Sequence, residues 1–198
     1  MEKHKPVLEQ PKIFSLAEVP AIEESRNQMI VKREQLKKLI EQPLLEACEE
    51  LYDKNIRTLS ASANQRDIQA GEVYIIIDFD SLSEENQRIA QQYAEPIDYD
   101  DGKAVKVIIP VTDKTALDEI IRETKKIAGT FQKQPAIWIP VYTLENIQKT
   151  AGKHGYKDIP DDPEYWAKET GYFYDPKSKN FYLSEEHFQK ANEEKDVK

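Results

Sequence analysis

Residues 72–80, with the sequence EVYIIIDFD, constrain the fold of this chain more than any other segment does. Every second position is apolar, so one face of an extended strand carries four such side chains: Val73, Ile75, Ile77 and Phe79. Tyr74 and Ile76 make the opposite face apolar as well. A strand that is apolar on both faces is typical of a sheet interior covered on both sides. The segment therefore predicts a central strand around which the rest of the chain packs.

Other periodic segments supply the partners of this strand. Three more strands are predicted, at 56–62, 104–111 and 136–142, and Pro140 places the last of them at an edge. Helical spacing predicts helices at 21–42, 44–54, 81–93, 112–131 and 143–152. The short connection at 63–70 favours an antiparallel first pair, whereas the later strands each precede a helix. We therefore predict an α+β fold with a mixed four-stranded sheet and packed helices; a three-layer α/β fold is the alternative.

Composition divides the chain into three regions. Residues 1–20 contain three prolines and no regular period, which indicates a flexible N-terminal arm. Residues 21–153 form the predicted α+β core, with helices at 21–54 followed by the sheet and its helices at 56–153. A partial heptad pattern at 21–42 makes a homodimer seam possible there. Residues 154–198 form a separate C-terminal unit.

The C-terminal unit is rich in aromatic residues, nine of which lie between positions 156 and 188. Residues 171–183 (GYFYDPKSKNFYL) predict a β-hairpin, and Ser184 begins a final helix. Aromatic residues with acidic neighbours are common at protein interfaces. Six residues are therefore candidates for binding a partner protein: Tyr165, Trp166, Tyr172, Tyr174, Phe181 and Tyr182. The alternative is that these rings form the core of the hairpin.

Charge restricts the kinds of partner. The chain has 37 acidic and 28 basic residues, a net charge of −9, which argues against general nucleic-acid binding and against an anionic membrane surface. The excess is local: residues 84–101 hold six acidic residues and one basic residue, and residues 156–198 hold eleven and seven. These two regions favour a basic protein partner.

A run of polar residues after the first strand is the candidate site for a small ligand. Hydroxyl, amide and charged side chains follow one another at Thr58, Ser60, Ser62, Asn64, Arg66 and Asp67. Hydroxyls on one strand face beside an arginine are suited to a carboxylate or a phosphate. A polar connection that satisfies its own backbone groups is the alternative.

Asp78 and Asp80 are the candidate metal ligands. Carboxylates two residues apart at the end of a strand can share Mg²⁺ or Mn²⁺. The alternative is that the strand simply ends in water. The chain has one cysteine and three scattered histidines, so no zinc motif is present.

Two functions follow from these patterns. The first is a non-catalytic, cytoplasmic protein-binding module of the adaptor or inhibitor type, without a cofactor. It acts through the aromatic, acidic C-terminal surface. The expected location rests on the single cysteine and on the absence of a signal-like or membrane-length apolar run. The alternative is a metal-assisted hydrolase or transferase that uses Asp78 and Asp80 with Mg²⁺ or Mn²⁺ and the 58–67 region as its ligand loop.

Overall fold

A computed structural model of the chain describes residues 30–193, except 101, 113, 114 and 158. The predicted arm at 1–20 and residues 21–29 of the helix predicted at 21–42 lie outside the described residues, and nothing described tests the homodimer seam. The single helix is wrong for the described remainder: a short helix ends at Leu39, Ile40 and Glu41 are extended, and the next helix begins just before Pro43, which disfavours a helical residue ahead of it. The described part contains eight α-helices and seven strands in two sheets. The α+β class and the four-stranded sheet are therefore confirmed. None of these helices combines the length and the apolar character that a membrane crossing requires.

The elements have the following bounds in chain order. The helices are α1 Leu36–Leu39, α2 Gln42–Asp53, α3 Gln65–Gln69, α4 Glu84–Gln91, α5 Leu117–Thr130, α6 Leu144–Lys153, α7 Pro163–Thr170 and α8 Glu185–Asn192. The strands are β1 Thr58–Ser62, β2 Glu72–Asp78, β3 Ile97–Tyr99, β4 Gly102–Pro110, β5 Val141–Thr143, β6 Phe173–Asp175 and β7 Asn180–Tyr182. A 3₁₀ turn, Arg33–Gln35, precedes α1.

The larger sheet has the order β1-β2-β4-β3, so β2 is an interior strand as predicted. Ile75 of β2 pairs with Ala61 on one side and with Val107 on the other. The alternating apolar face of β2 is fully buried in the main core, which also contains buried residues of α2 and α5. The opposite face is only partly covered by the described residues, since Ile108 beside Tyr74 is 45 % exposed.

Two details of the predicted sheet are wrong. Every pairing in it is antiparallel, so the sheet is not mixed, and the parallel sheet of a three-layer α/β fold is not formed. Its fourth strand is β3, in a segment where the sequence predicts no strand. Residues 136–140 form a turn-like segment, and strand pairing begins only at Val141. Pro135 and Pro140 lack the N–H groups that a longer strand here would need.

The C-terminal hairpin is confirmed, and it joins β5 to form a second antiparallel sheet of order β5-β7-β6. Asp175 closes the turn by accepting hydrogen bonds from the N–H groups of Lys177 and Ser178. Thr143 and Ser184 cap the following helices α6 and α8, as the sequence predicts. Helix α7 was not predicted from the sequence.

Candidate functional site

A surface groove of about 610 Å³ lies between α6 and α7 and is closed at one end by the second sheet. Four aromatic rings line it: Tyr142 of β5, Tyr156, Trp166 of α7 and Tyr172. We call this the aromatic groove. Asn146, Thr150, Glu169 and Thr170 are among its polar lining residues.

Helix α7 forms one wall of the aromatic groove, and its start is fixed by local sequence signals. Asp162 caps α7 through the N–H of Glu164, and Pro163 occupies its first turn. The Trp166 indole is buried, and its Nε1 donates to the carbonyl of Pro160 at 2.8 Å. Because the indole is fixed at both its ring and its nitrogen, it forms a rigid floor.

The end of α7 places Tyr172 in the groove. Gly171 has a φ of 72°, in the left-handed region that ends helices and that glycine adopts without a steric penalty. The next N–H, that of Tyr172, donates to the Thr170 hydroxyl at 3.2 Å. Tyr172 then stacks on Tyr142, with ring centroids 5.5 Å apart and an interplanar angle of 21°. The turn after α7 therefore joins the helix wall to the sheet.

The remaining rings open towards solvent. Tyr156 is 49 % exposed and lies 6.1 Å from Trp166, centroid to centroid, at an angle of 56°. Tyr165, 38 % exposed, meets the other edge of Trp166 at 5.2 Å in a T-shaped contact. The exposed rings of Tyr156 and Tyr165 therefore both pack on the buried Trp166 indole. Their solvent-facing surface is available to a ligand.

Glu169 is the one carboxylate among the residues that line the aromatic groove, and His154 is the one basic side chain there. The Glu169 carboxylate makes no ion pair with any described residue. It lies beside Tyr165, whose pKa is raised by partial desolvation and by the negative charge of Glu169. The pKa of Tyr142 is also raised, by burial and by the neighbouring Tyr172. Both phenols therefore stay neutral at physiological pH, and the groove has net negative character.

Three other polar side chains of the groove form hydrogen bonds within the protein: Asn146, Thr150 and Thr170. Thr150 donates its hydroxyl to the Asn146 carbonyl, and Thr170 donates to the Trp166 carbonyl. Asn146 accepts from the N–H and hydroxyl of Thr143 in a capping box. Glu169 is the one carboxylate that the groove offers to a ligand, and it also accepts a hydrogen bond from the Tyr165 hydroxyl.

A comparison of the chain with known protein families, curated proteins and solved structures finds no match. The structure separates the six predicted partner-binding residues into two groups. Tyr165 is exposed, and Tyr172 and Tyr174 are half-buried. Trp166, Phe181 and Tyr182 are buried.

Phe181 and Tyr182 are buried and so do not lie on the surface that the sequence predicts for partner binding. Phe181 packs in one apolar cluster with Ile147 and Trp166, and Tyr182 packs in another with Ile139. Neither ring reaches a partner in this conformation. The sequence does not predict a role in the site for three residues that line the groove: Tyr142, Tyr156 and Glu169. The aromatic content of the C-terminal unit was the only signal for Tyr156, and Tyr142 had none, because it lies on the preceding strand.

The polar residues at 58–67 are brought together, largely by hydrogen bonds to one another. The Asn64 side chain caps α3 by accepting from the N–H groups of Arg66 and Asp67. The Asn64 amide donates to Ser62 Oγ at 2.9 Å, and Ser62 donates to Asp67. Thr58 and Ser60 are half-buried on β1. This arrangement agrees with the alternative interpretation, a connection that satisfies its own polar groups.

Asp78 and Asp80 line one cleft of about 460 Å³, yet each carboxylate already has a partner. Asp78 forms a salt bridge with Arg57 at 3.1 Å. Asp80 accepts from the Lys103 N–H at 2.7 Å and lies close above Gly102, where an added Cβ would approach its carboxylate to 2.8 Å. No cluster of three or more metal-ligating side chains occurs among the described residues.

Cys48 is buried in the main core and lines a cavity of about 370 Å³ with Tyr52 and Trp138. Burial raises the pKa of its thiol to about 12. The thiolate is the nucleophilic form of cysteine. Cys48 is therefore not a nucleophile at neutral pH in this conformation.

Proposed function

We propose that this protein is a non-catalytic protein-binding module and that the aromatic groove receives an exposed segment of its partner. The observation that carries this proposal is the groove itself, in which Tyr142, Tyr156 and Tyr172 surround the fixed indole of Trp166. Tyrosine and tryptophan are enriched where protein interfaces are strongest, because they bury a large area with few rotatable bonds.

The groove is formed before any partner arrives. The Trp166 indole is held by its hydrogen bond, Tyr142 and Tyr172 are stacked, and α6 and α7 each begin at a side-chain cap. Preorganised binding surfaces lose less conformational entropy on association than flexible ones. A volume of about 610 Å³ is in the usual range for ligand sites, so the groove has room for several side chains of a peptide.

Charge supports a basic partner. Residues 156–198 hold eleven acidic and seven basic residues, and Glu169 adds its charge inside the groove. Complementary charge increases the rate and specificity of association more than the affinity. A cytoplasmic setting is part of the proposal, since one cysteine in 198 residues suits a reducing compartment.

A peptide-display selection tests the proposal. The full-length protein is immobilised, binding peptides are selected from a random library, and their dissociation constants are measured by tryptophan fluorescence. Tyr156→Ala should weaken the selected peptides about tenfold or more, as expected for an interface aromatic residue. Tyr93→Ala is the matched control, because Tyr93 is a similarly exposed tyrosine of the main body.

Two results would refute the proposal. One is a selection that enriches no peptide above background. The other is a set of peptides whose affinities change equally in the Tyr156→Ala and Tyr93→Ala variants. Circular dichroism melts of both variants show that any loss of binding is not a loss of folding.

A further inference from the structure

We infer that the aromatic groove recognises a cationic side chain, lysine or arginine, of the partner segment. This inference rests on the proposed function and names the chemical group that the groove selects. It follows from three observations: the rings that line the groove, the single carboxylate among them, and the absence of lysine and arginine from its described lining, in which His154 is the one basic side chain.

The rings supply the attraction. Aromatic faces carry negative potential, and an ammonium or guanidinium group within about 6 Å of a ring centroid is stabilised by it. The chain makes this contact twice within its own fold. Lys106 Nζ lies 4.7 Å from the centroid of the Tyr74 ring, and Lys190 Nζ lies 4.4 Å from that of Tyr52. Tyrosine faces of this protein therefore already bind ammonium groups.

Glu169 supplies the counter-charge. It lies on the groove wall one turn after the Trp166 floor and makes no ion pair with a described residue. Three lysines of α6 and α7, Lys149, Lys153 and Lys168, do not line the groove. A cation from outside would thus meet aromatic faces and a carboxylate without displacing a lysine or arginine of the chain from the groove.

The alternatives fit less well. An acidic side chain would meet Glu169 and the local excess of negative charge, which opposes binding. A purely apolar or proline-rich segment would contact the rings but leave the carboxylate partly desolvated and unpaired, which carries a free-energy cost. A cationic side chain satisfies both parts of the groove because its apolar stem covers ring surface while its charged end reaches Glu169.

The chain has two tryptophans, and they give the test an internal control. Trp166 lies in the groove, whereas Trp138 donates its indole N–H to Asn55 in the main body. The probes are hexapeptides Gly-Ser-Gly-X-Gly-Ser in which X is lysine, arginine, norleucine or glutamate. Each is titrated to millimolar concentration into the ¹⁵N-labelled full-length protein. The two indole N–H signals are followed by NMR.

We expect the lysine and arginine peptides to shift the Trp166 signal saturably and to leave the Trp138 signal unchanged. Their affinity should exceed that of the norleucine peptide by about three- to tenfold, the range of a cation–π contact combined with an exposed ion pair. Glu169→Gln should remove about two- to fivefold of this preference. Glu164→Gln is the matched control: it removes the same charge from α7 but not from the groove lining.

Three outcomes would overturn the inference: equal binding of norleucine and lysine peptides, tighter binding of the glutamate peptide, or no shift of Trp166 with any probe. These outcomes differ from failure of the proposed function. If display peptides bind in a Tyr156-dependent way but contain no lysine or arginine, the groove is a peptide site with a different preference. If no peptide depends on Tyr156, the protein-binding proposal itself fails.

Discussion

Gln134 holds together a segment without regular secondary structure, and replacing it should destabilise the whole domain. The Gln134 side chain is buried and uses its full hydrogen-bonding capacity. Its Oε1 accepts from the N–H of Ser83 and from Asn86 Nδ2, both at 2.8 Å. Its Nε2 donates to the carbonyls of Ser81 at 2.7 Å and of Asn55 at 3.3 Å. One side chain therefore connects the end of α2, the start of α4 and the segment after α5.

The perturbation that isolates these bonds is Gln134→Met, which keeps the side-chain length and removes all four. The Ser83 N–H and the Ser81 carbonyl then lose the one partner that each has among the described residues. Asn55 and Asn86 each keep a second hydrogen bond. A buried polar group without a partner costs about 1–3 kcal/mol, and a lost bond between groups that remain paired costs about 0.5–1.5 kcal/mol. These contributions sum to about 3–9 kcal/mol, and we expect a loss of unfolding free energy in the lower part of this range, about 4 kcal/mol, because the Ser83 N–H is only partly buried.

Urea denaturation followed by tryptophan fluorescence measures this loss, and a thermal melt should show a decrease in Tm of about 8–16 °C. Gln132→Met is the matched control. The Gln132 side chain is exposed and makes one long hydrogen bond, to the Thr130 carbonyl at 3.4 Å, so we expect a change below about 0.5 kcal/mol. A Gln134→Met protein within about 1 kcal/mol of the wild type would show that the four bonds do not stabilise the fold as reasoned.

Two further predictions concern His187 and the carboxylates of the first sheet. His187 is fully buried, its Nε2 donates to the Ile30 carbonyl at 3.1 Å, and its Nδ1 has no described partner. Burial is the main cause that lowers its pKa below the ordinary 6.5, so the unfolded chain binds the proton more tightly. The unfolding free energy should therefore fall as pH drops below about 6.5, and His187→Phe should flatten this dependence in urea titrations while His154→Gln retains it. For Asp78 and Asp80, about 10 mM Mg²⁺ or Mn²⁺ should change Tm by less than about 1 °C, because Arg57 and the Lys103 N–H already occupy the two carboxylates. A larger rise that disappears in Asp78→Asn would support the metal-assisted alternative instead.

Features that depend on a few neighbouring residues could be read from the sequence. The alternation at 72–80 identified β2 and its interior position. The caps Thr143 and Ser184 were recognised because a cap accepts hydrogen bonds from its own helix. Even local signals were displaced by a few residues. The helix predicted to begin at residue 81 begins at Glu84, because Ser81 donates to the Asp78 carbonyl and Ser83 caps α4. Capping motifs overlap in serine-rich segments, and tertiary packing decides among them.

Features that depend on distant pairing could not be read. Whether residues 97–99 or 136–142 would supply the fourth strand depended on which segment reached the edge of β4, and strand periodicity does not encode that choice. Helix α7 has a start signal in Asp162 and Pro163, but it follows a run of acidic residues that also suits a loop. The aromatic groove needs Tyr142 and Tyr172 in contact. Tyr142 is on β5 and Tyr172 directly precedes β6, and the sequence does not specify the order of the strands in this sheet.

The second sheet explains why aromatic content alone could not distinguish core from surface. Strand β7 is central and only three residues long, so its adjacent side chains point to opposite faces, and both faces are covered. Phe181 is buried on the side of α6 and α7, and Tyr182 is buried on the side of α8, where Phe188 meets its ring at 5.3 Å. Strands this short offer few side chains, so a stable core requires large ones, and aromatic residues bury the most area per position. Tyr172 and Tyr156 lie at the border of the same packing, in contact with its rings but not enclosed by them. The exposed rings of the groove are therefore continuous with the core, which would give the proposed binding surface the rigidity of a protein interior.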